Sequence, residues 1–119
     1  MPQKVLVVED EVLIRWDICD QLSAHHIDVL EASTVAEALR LFEQNPDIGV
    51  LFTDVQLHGS ETGLDLARYV HLQYPQVKIL VTSGHVNERS LPREFGELLV
   101  KPYSSDDVAR KISGWIGSA

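Results

Sequence analysis

Short apolar runs of strand length alternate with amphipathic stretches from one end of the chain to the other. Three of these runs, at residues 4–8, 48–53 and 77–82, are almost continuously apolar. Two weaker ones lie at 27–30 and 98–100 and suit short or edge strands. Continuous apolar runs are typical of strands that are covered on both faces. The sequence therefore predicts a buried parallel sheet.

Helical spacing separates these runs. Apolar residues recur every fourth position in the first helix, and Thr34 with Glu37 three residues later predicts a capping box at the start of the second. A third helix is predicted over 63–74 and a last one from about 104, whereas Pro92 weakens the helix expected over 87–95. The predicted inward-facing residues are Ile14, Ile18 and Leu22, then Val35, Leu39 and Phe42, then Leu66, Ala67 and Val70, and finally Val108, Ile112 and Ile116.

Five β-α units in succession predict an α/β fold, with a doubly wound five-stranded parallel sheet and helices on both faces. The fourth helix is expected to be short or irregular. A length of 119 residues with 45% hydrophobic residues predicts one domain, over residues 1–119. The last three residues are interpreted as a fraying tail with no output domain after them.

Composition argues against several classes of function. The formal net charge is −8 and Lys and Arg form no stripe, which disfavours nucleic acid. No apolar stretch approaches the ~20 residues of a membrane span, and no signal peptide is recognisable. Cys19 is the only cysteine, so no disulfide can form within the chain. A cytoplasmic protein is the simplest interpretation.

Acidic residues follow two of the predicted strands. Glu9 and Asp10 come directly after the first strand, and Asp54 ends the third. Ligands of open parallel sheets bind beyond the carboxyl ends of the strands. Like charges brought together there need a cation or a proton, and oxygen ligands without histidine favour Mg²⁺. The alternative is that Asp10 only caps the following helix.

The same edge is predicted to carry a hydroxyl and an ammonium group. The fourth strand ends in Thr82-Ser83-Gly84, and Lys101-Pro102 follows the fifth. A carboxylate nucleophile, a metal, an ammonium group and a hydroxyl together suit phosphoryl transfer. Because residues alternate faces along a strand, only one of Thr82 and Ser83 can point into the site.

The set Glu9-Asp10, Asp54, Ser83 and Lys101-Pro102 resembles the response-regulator receiver family of two-component signalling, over essentially the whole chain. The resemblance implies the strand order 2-1-3-4-5, with Asp54 as phosphoacceptor. It also implies a Mg²⁺ site made by Glu9, Asp10, Asp54 and the backbone carbonyl of Gln56, in which Asp10 is a direct ligand. Lys101 would pair with the phosphoryl group, and the Lys101–Pro102 bond would be cis. Ser83 is preferred as the switch hydroxyl because a small residue, Gly84, follows it; Thr82 is the alternative.

Such a domain is a signalling component of a phosphorelay and not an enzyme acting on external substrates. The resemblance implies a histidine kinase or a histidine phosphotransfer protein as phosphodonor, and a downstream protein that receives the signal. The alternative function is an interaction module that keeps the fold without the chemistry. A phosphohydrolase is disfavoured because Gln56 stands where such enzymes carry a second Asp. A flavin or dinucleotide site is disfavoured because acidic residues follow the first strand.

The chain departs from the family pattern at several positions. Glu9 replaces the usual Asp, His58 stands where many relatives have Pro, and Leu98 occupies a position that is often aromatic, so a hydroxyl-aromatic switch is not assumed. This variant resembles stand-alone receivers and the receivers of hybrid kinases. Trp16 lies off the apolar stripe of the first helix. It is interpreted either as a partner-docking residue or as packing against the last helix near Trp115.

Overall fold

The computed structural model describes residues 3–55, 57, 62–83, 96–100 and 103–116, with the backbone alone for Ser83 and Val100. In chain order, the elements are β1 (Lys4–Val8), α1 (Val12–Ala24), β2 (Val29–Ala32), α2 (Val35–Gln44), β3 (Ile48–Asp54), α3 (Gly63–Gln73), β4 (Lys78–Ser83), β5 (Glu97–Val100) and α4 (Ser105–Ile116). The helix expected over 87–95 lies outside the described residues.

The five strands form one parallel sheet in the order β2-β1-β3-β4-β5. This order confirms the predicted doubly wound α/β fold, and it places the two weakest predicted strands, β2 and β5, at the edges. The boundaries differ in detail from the sequence prediction. Strand β2 begins at Val29, two residues later than expected, and β4 extends through Ser83.

Side chains of the central strands alternate between two apolar layers. Leu6 and Leu51 belong to one layer, which includes Phe42 of α2 and Leu66 of α3. The next residue along each strand belongs to the other layer, which α1 and α4 cover with Ile18, Leu22, Val108 and Ile112. Both faces of the sheet are therefore dry. At about 25 cal/mol per Å² of buried apolar surface, these two layers provide the main stabilisation of the fold.

Three helices begin at polar caps. Thr34 Oγ1 accepts a hydrogen bond from the Glu37 N–H at 3.1 Å, as the sequence predicts. The Glu37 carboxylate, however, accepts from the Ser33 N–H at 2.8 Å, so the reciprocal half of the predicted box is shifted by one residue. A complete capping box occurs instead at Thr62 and Asp65, at the start of α3. Ser104 Oγ caps α4 by accepting from the Asp107 N–H at 3.0 Å.

In the described part of the chain, no helix has the length and apolar character needed to cross a membrane.

Candidate functional site

Three polar side chains form one row across the carboxyl ends of β1, β3 and β4. Asp54 is the register partner of Thr82, and Glu9 follows β1 at the level where Asp54 follows Thr53. Two residues earlier, each strand carries an apolar side chain in the layer under α1 and α4: Val7, Phe52 and Leu80. Because strand side chains alternate, Glu9, Asp54 and Thr82 share that face of the sheet. We call these three residues the polar row.

The polar row is as deeply buried as the apolar core beneath it. Glu9 is 1% exposed, Asp54 6% and Thr82 0%. Burial of a charged or polar group is costly unless a hydrogen bond or an opposite charge compensates for it. The compensation here is incomplete, because Glu9 Oε1 and Thr82 Oγ1 have no hydrogen-bond partner among the described residues.

Backbone contacts hold Glu9 in place without neutralising it. Its Oε2 accepts a hydrogen bond from the Glu11 N–H at 3.1 Å. Arg15 donates from Nη1 to the Glu9 backbone carbonyl at 2.8 Å, and its Nε pairs with Glu31 at 3.0 Å. The guanidinium thus fixes the chain where β1 leads into α1, while its charge is directed to Glu31.

Burial raises the pKa of Glu9 to about 8. The hydrogen bond from the Glu11 backbone lowers this pKa, whereas contact with the Asp10 side chain and the negative charges of Asp54 and Asp10 raise it further. The two aspartates are therefore near enough to act on the Glu9 carboxyl. A proton or a cation at this position would relieve the repulsion.

The start of α3 lies directly against the end of β3. The Gly63 N–H donates to the Val55 carbonyl at 2.8 Å, and a Cβ on Gly63 would lie 1.8 Å from the Asp54 carbonyl oxygen. No residue with a side chain fits there without movement of the backbone. Thr53 Oγ1 donates to the same Asp54 carbonyl at 3.0 Å, so the backbone of Asp54 is held from two sides.

The donor set fits Mg²⁺ in its chemistry. Among the described residues, no group of three His, Cys, Asp or Glu side chains forms a ready metal cluster. Mg²⁺ does not need one, because it is usually bound by one or two carboxylates and keeps several waters. Buried carboxylates, including a Glu9 oxygen that has no hydrogen-bond partner among the described residues, form an environment in which a hard cation is favourable.

The structure brings together Glu9, Asp10, Asp54 and Thr82 of the predicted site residues. Gln56, His58 and the Lys101–Pro102 pair, with its predicted cis bond, lie outside the described residues, and for Ser83 only the backbone is described. The choice of Ser83 over Thr82 as switch hydroxyl therefore stays a prediction.

Three supporting residues were not identified from the sequence: Arg15, Thr53 and Gly63. The only available signal was for Gly63, since a glycine at the start of a predicted helix indicates a close backbone approach. Arg15 and Thr53 contact the site through the backbone carbonyls of Glu9 and Asp54, and such contacts leave no pattern in the sequence.

Comparison with known proteins agrees with this geometry. Residues 5–113 match the response regulator receiver domain family. A chemotaxis protein CheY homolog from Campylobacter jejuni is 31% identical over 97% of this chain and 93% of its own length. The sensor kinase CckA of Brucella abortus is 30% identical over 91% of this chain. A receiver domain crystal structure from Clostridium thermocellum superposes with a TM-score of 0.85 at 30% identity, covering 97% of this chain and 94% of that one.

A doubly wound sheet with carboxylates at the ends of β1 and β3 defines the class of CheY-like receiver folds. This chain belongs to the response regulator receiver domain family of two-component systems. It spans only 12% of the length of the Brucella kinase and 23% of that of the NtrX-like response regulators of Rickettsia.

Proposed function

We propose that this chain is a phosphoacceptor receiver, which takes a phosphoryl group from a phosphohistidine donor onto Asp54 and signals by partner binding or onward transfer. The observation that carries the proposal is the convergence of Glu9, Asp10 and Asp54 at one edge of the sheet, where burial and mutual repulsion raise the pKa of Glu9. The core of an ordinary domain avoids such a cluster, because burying charges without compensation is unfavourable.

In this mechanism, one carboxylate oxygen of Asp54 attacks the phosphorus of the donor. An O–P bond forms and the N–P bond breaks, and the electron pair of that bond returns to the imidazole nitrogen of the donor. Asp54 is suited to the role because backbone contacts hold it, while the apolar layer beneath excludes water from one side.

Asp10 and Asp54, together with Glu9 and the backbone carbonyl of Gln56, would hold Mg²⁺. When bound, the ion neutralises the charge of the attacking carboxylate and the phosphoryl oxygens. Lys101 is assigned to the phosphoryl group as a second positive charge, and Ser83 as the hydroxyl that contacts it. These last assignments follow from the family motif at the ends of β4 and β5.

The exposed face of α1 suits association with the donor or with a downstream protein. Leu13 is 78% exposed and Trp16 59%, and a groove beside them is lined by Asp17, Asp20 and Glu31. Trp is enriched at binding hot spots. Such a surface would also serve a receiver that acts only as an interaction module, which is the alternative function.

Phosphorylation separates the two functions. The purified chain is incubated with acetyl phosphate, a small phosphodonor, and Mg²⁺, and its mass is followed with time. We expect a gain of one phosphoryl group in the wild type and none in Asp54→Asn, which keeps the shape of the side chain. If the wild type gains no mass, or if Asp54→Asn gains as much, the phosphoacceptor proposal is wrong.

A further inference from the structure

Thr82 contributes unfavourably to the free energy of folding at its position. Its side chain is 0% exposed, and Oγ1 has no hydrogen-bond partner among the described residues. An unsatisfied buried hydroxyl costs about 1–3 kcal/mol, and valine would fill the same space without that cost. Leu80, two residues earlier on the same face of β4, is apolar and buried. The hydroxyl therefore calls for an explanation other than packing.

The neighbours of Thr82 in the sheet limit what its hydroxyl can contact. On one side its register partner is Leu99 of β5, whose side chain accepts no hydrogen bond. On the other side its register partner is Asp54 of β3. Neighbouring strands are about 4.8 Å apart, so a modest rotation of either side chain brings the hydroxyl within hydrogen-bond distance of the carboxylate.

We propose that Thr82 is a positioning residue for the reaction at Asp54, and that its hydroxyl donates to the carboxylate oxygen that does not take the phosphoryl group. The inference rests on the proposed function. When one oxygen of Asp54 attacks phosphorus and the N–P bond of the donor breaks, the other oxygen becomes the carbonyl of the acyl phosphate. A hydrogen bond to this second oxygen fixes the rotation of the carboxylate and directs the first oxygen out of the sheet.

This role differs from that of a switch hydroxyl, which contacts the phosphoryl group itself. Thr82 lies in the buried row below the rim, and Ser83 is the residue assigned to the phosphoryl group. The rule that only one of these two residues can point into the site concerns contact with the phosphoryl group, whereas Thr82 is inferred to contact only the Asp54 carboxylate in the adjacent strand.

The test compares Thr82→Val with Thr82→Ser. Phosphorylation by acetyl phosphate with saturating Mg²⁺ is measured over a range of donor concentrations, so that the maximal rate and the donor concentration at half-maximal rate are obtained separately. Loss of one hydrogen bond to a charged group predicts a fall of about tenfold in the maximal rate of Thr82→Val. The half-maximal donor concentration should change little, and Thr82→Ser should remain within about twofold of the wild type.

Urea unfolding of the same variants provides the second readout. Since the hydroxyl has no hydrogen-bond partner in the part of the chain that the structure describes, Thr82→Val should be as stable as the wild type or more stable. The inference is overturned if Thr82→Val reacts at the wild-type rate, if Thr82→Ser loses as much rate as Thr82→Val, or if Thr82→Val is markedly destabilised. A wild type that takes up no phosphoryl group would instead refute the proposed function.

Discussion

The central residues of strands β1, β3 and β4 are buried, but the buried residues at the carboxyl ends are polar whereas those two positions earlier are apolar. Val7, Phe52 and Leu80 pack against α1 and α4. Two residues further on, the same face carries the polar row. Exposure does not distinguish the two regions, since all six side chains are nearly or fully buried. What distinguishes them is their chemistry: the apolar side chains gain free energy from burial, whereas Glu9 Oε1 and Thr82 Oγ1 are buried without a hydrogen-bond partner among the described residues.

This contrast separates stability from function within one sheet. The apolar layer is the kind of region in which any truncation leaves a cavity. The polar row is the kind in which truncation can relieve repulsion or remove an unsatisfied group, so that stability rises as activity falls. Substitutions in the two regions should therefore differ in their effects on stability and on phosphorylation.

Truncation of two residues on the same face of β3 should have opposite effects on stability. Phe52→Ala removes a fully buried ring and should lower the free energy of unfolding by about 3–5 kcal/mol. Asp54→Ala removes a buried like charge beside Glu9 and should leave stability equal or higher in the absence of metal. Urea unfolding in EDTA measures both. An Asp54→Ala protein as unstable as Phe52→Ala would mean that the polar row is part of the structural core.

A divalent cation should stabilise the polar row and leave the apolar layer unaffected. At a Mg²⁺ concentration about 100 times the dissociation constant, the wild type should gain about 2.7 kcal/mol, because the ion binds only the folded state. Asp54→Ala should gain far less, whereas a conservative core variant such as Val50→Ala should gain as much as the wild type. Thermal unfolding with and without Mg²⁺ gives these differences, and equal gains in all three proteins would place the ion elsewhere.

Without metal, the stability of the wild type should fall as the pH rises. The pKa of Glu9 is about 8 in the folded chain, whereas its ordinary value is 4.5. Between these values the folded state holds a proton that the unfolded state has released, so folding is favoured at the acidic end and the advantage is lost as pH approaches 8. Relative to Glu9→Gln, the wild type should lose roughly 1–3 kcal/mol between pH 5 and pH 8.

Urea unfolding of the two proteins in EDTA at pH 5, 6.5 and 8 isolates this contribution, because all other groups are shared. If the difference between the two proteins does not change with pH, the Glu9 carboxyl is already ionised in the folded chain at pH 5. Addition of Mg²⁺ should reduce the loss, since the ion favours the ionised form.

The elements and the doubly wound class of the fold could be predicted from local patterns, whereas the strand order 2-1-3-4-5 followed from the family resemblance. The run 48–53 is continuously apolar and of strand length, which favours a buried strand over a helix, and the cap at Thr34 marks the start of α2. The predicted starts of helices were less accurate where side-chain hydrogen bonds determine them. The shift of the Glu37 hydrogen bond to Ser33 depends on how the chain enters α2, and spacing alone does not encode this.

The candidate site could be predicted in its acidic members, because strand ends in a parallel sheet converge by topology. Its electrostatics could not. The pKa of Glu9 depends on its burial and on the charges of Asp10, which is adjacent in sequence, and of Asp54, which is distant in sequence. The missing hydrogen bond of the Thr82 hydroxyl depends on which residues of β3 and β5 lie beside it.

The role of Trp16 could not be predicted from spacing either, because spacing left two interpretations open. Its 59% exposure argues against packing beneath α4.

The exposed face of α1 should contribute nothing to stability and much to recognition. Trp16→Ser is expected to change the free energy of unfolding by no more than about 0.5 kcal/mol, as for other surface substitutions. Phosphorylation by acetyl phosphate should be unchanged, because Trp16 lies outside the polar row. Transfer from a phosphorylated histidine kinase, chosen from a panel as the fastest donor, should fall by about tenfold or more if Trp16 is an interface hot spot.

Tyr69→Ser on α3 is the matched control, since Tyr69 is also a large exposed aromatic, at 44%. Transfer from the kinase should be nearly normal in this variant. If both substitutions slow transfer equally, the effect is a general loss of surface hydrophobicity and α1 has no special role. If Trp16→Ser slows acetyl phosphate as much as the kinase, α1 acts through the site itself. Only a selective loss with the protein donor assigns the α1 face to docking, because a small phosphodonor needs the polar row and no surface beyond it.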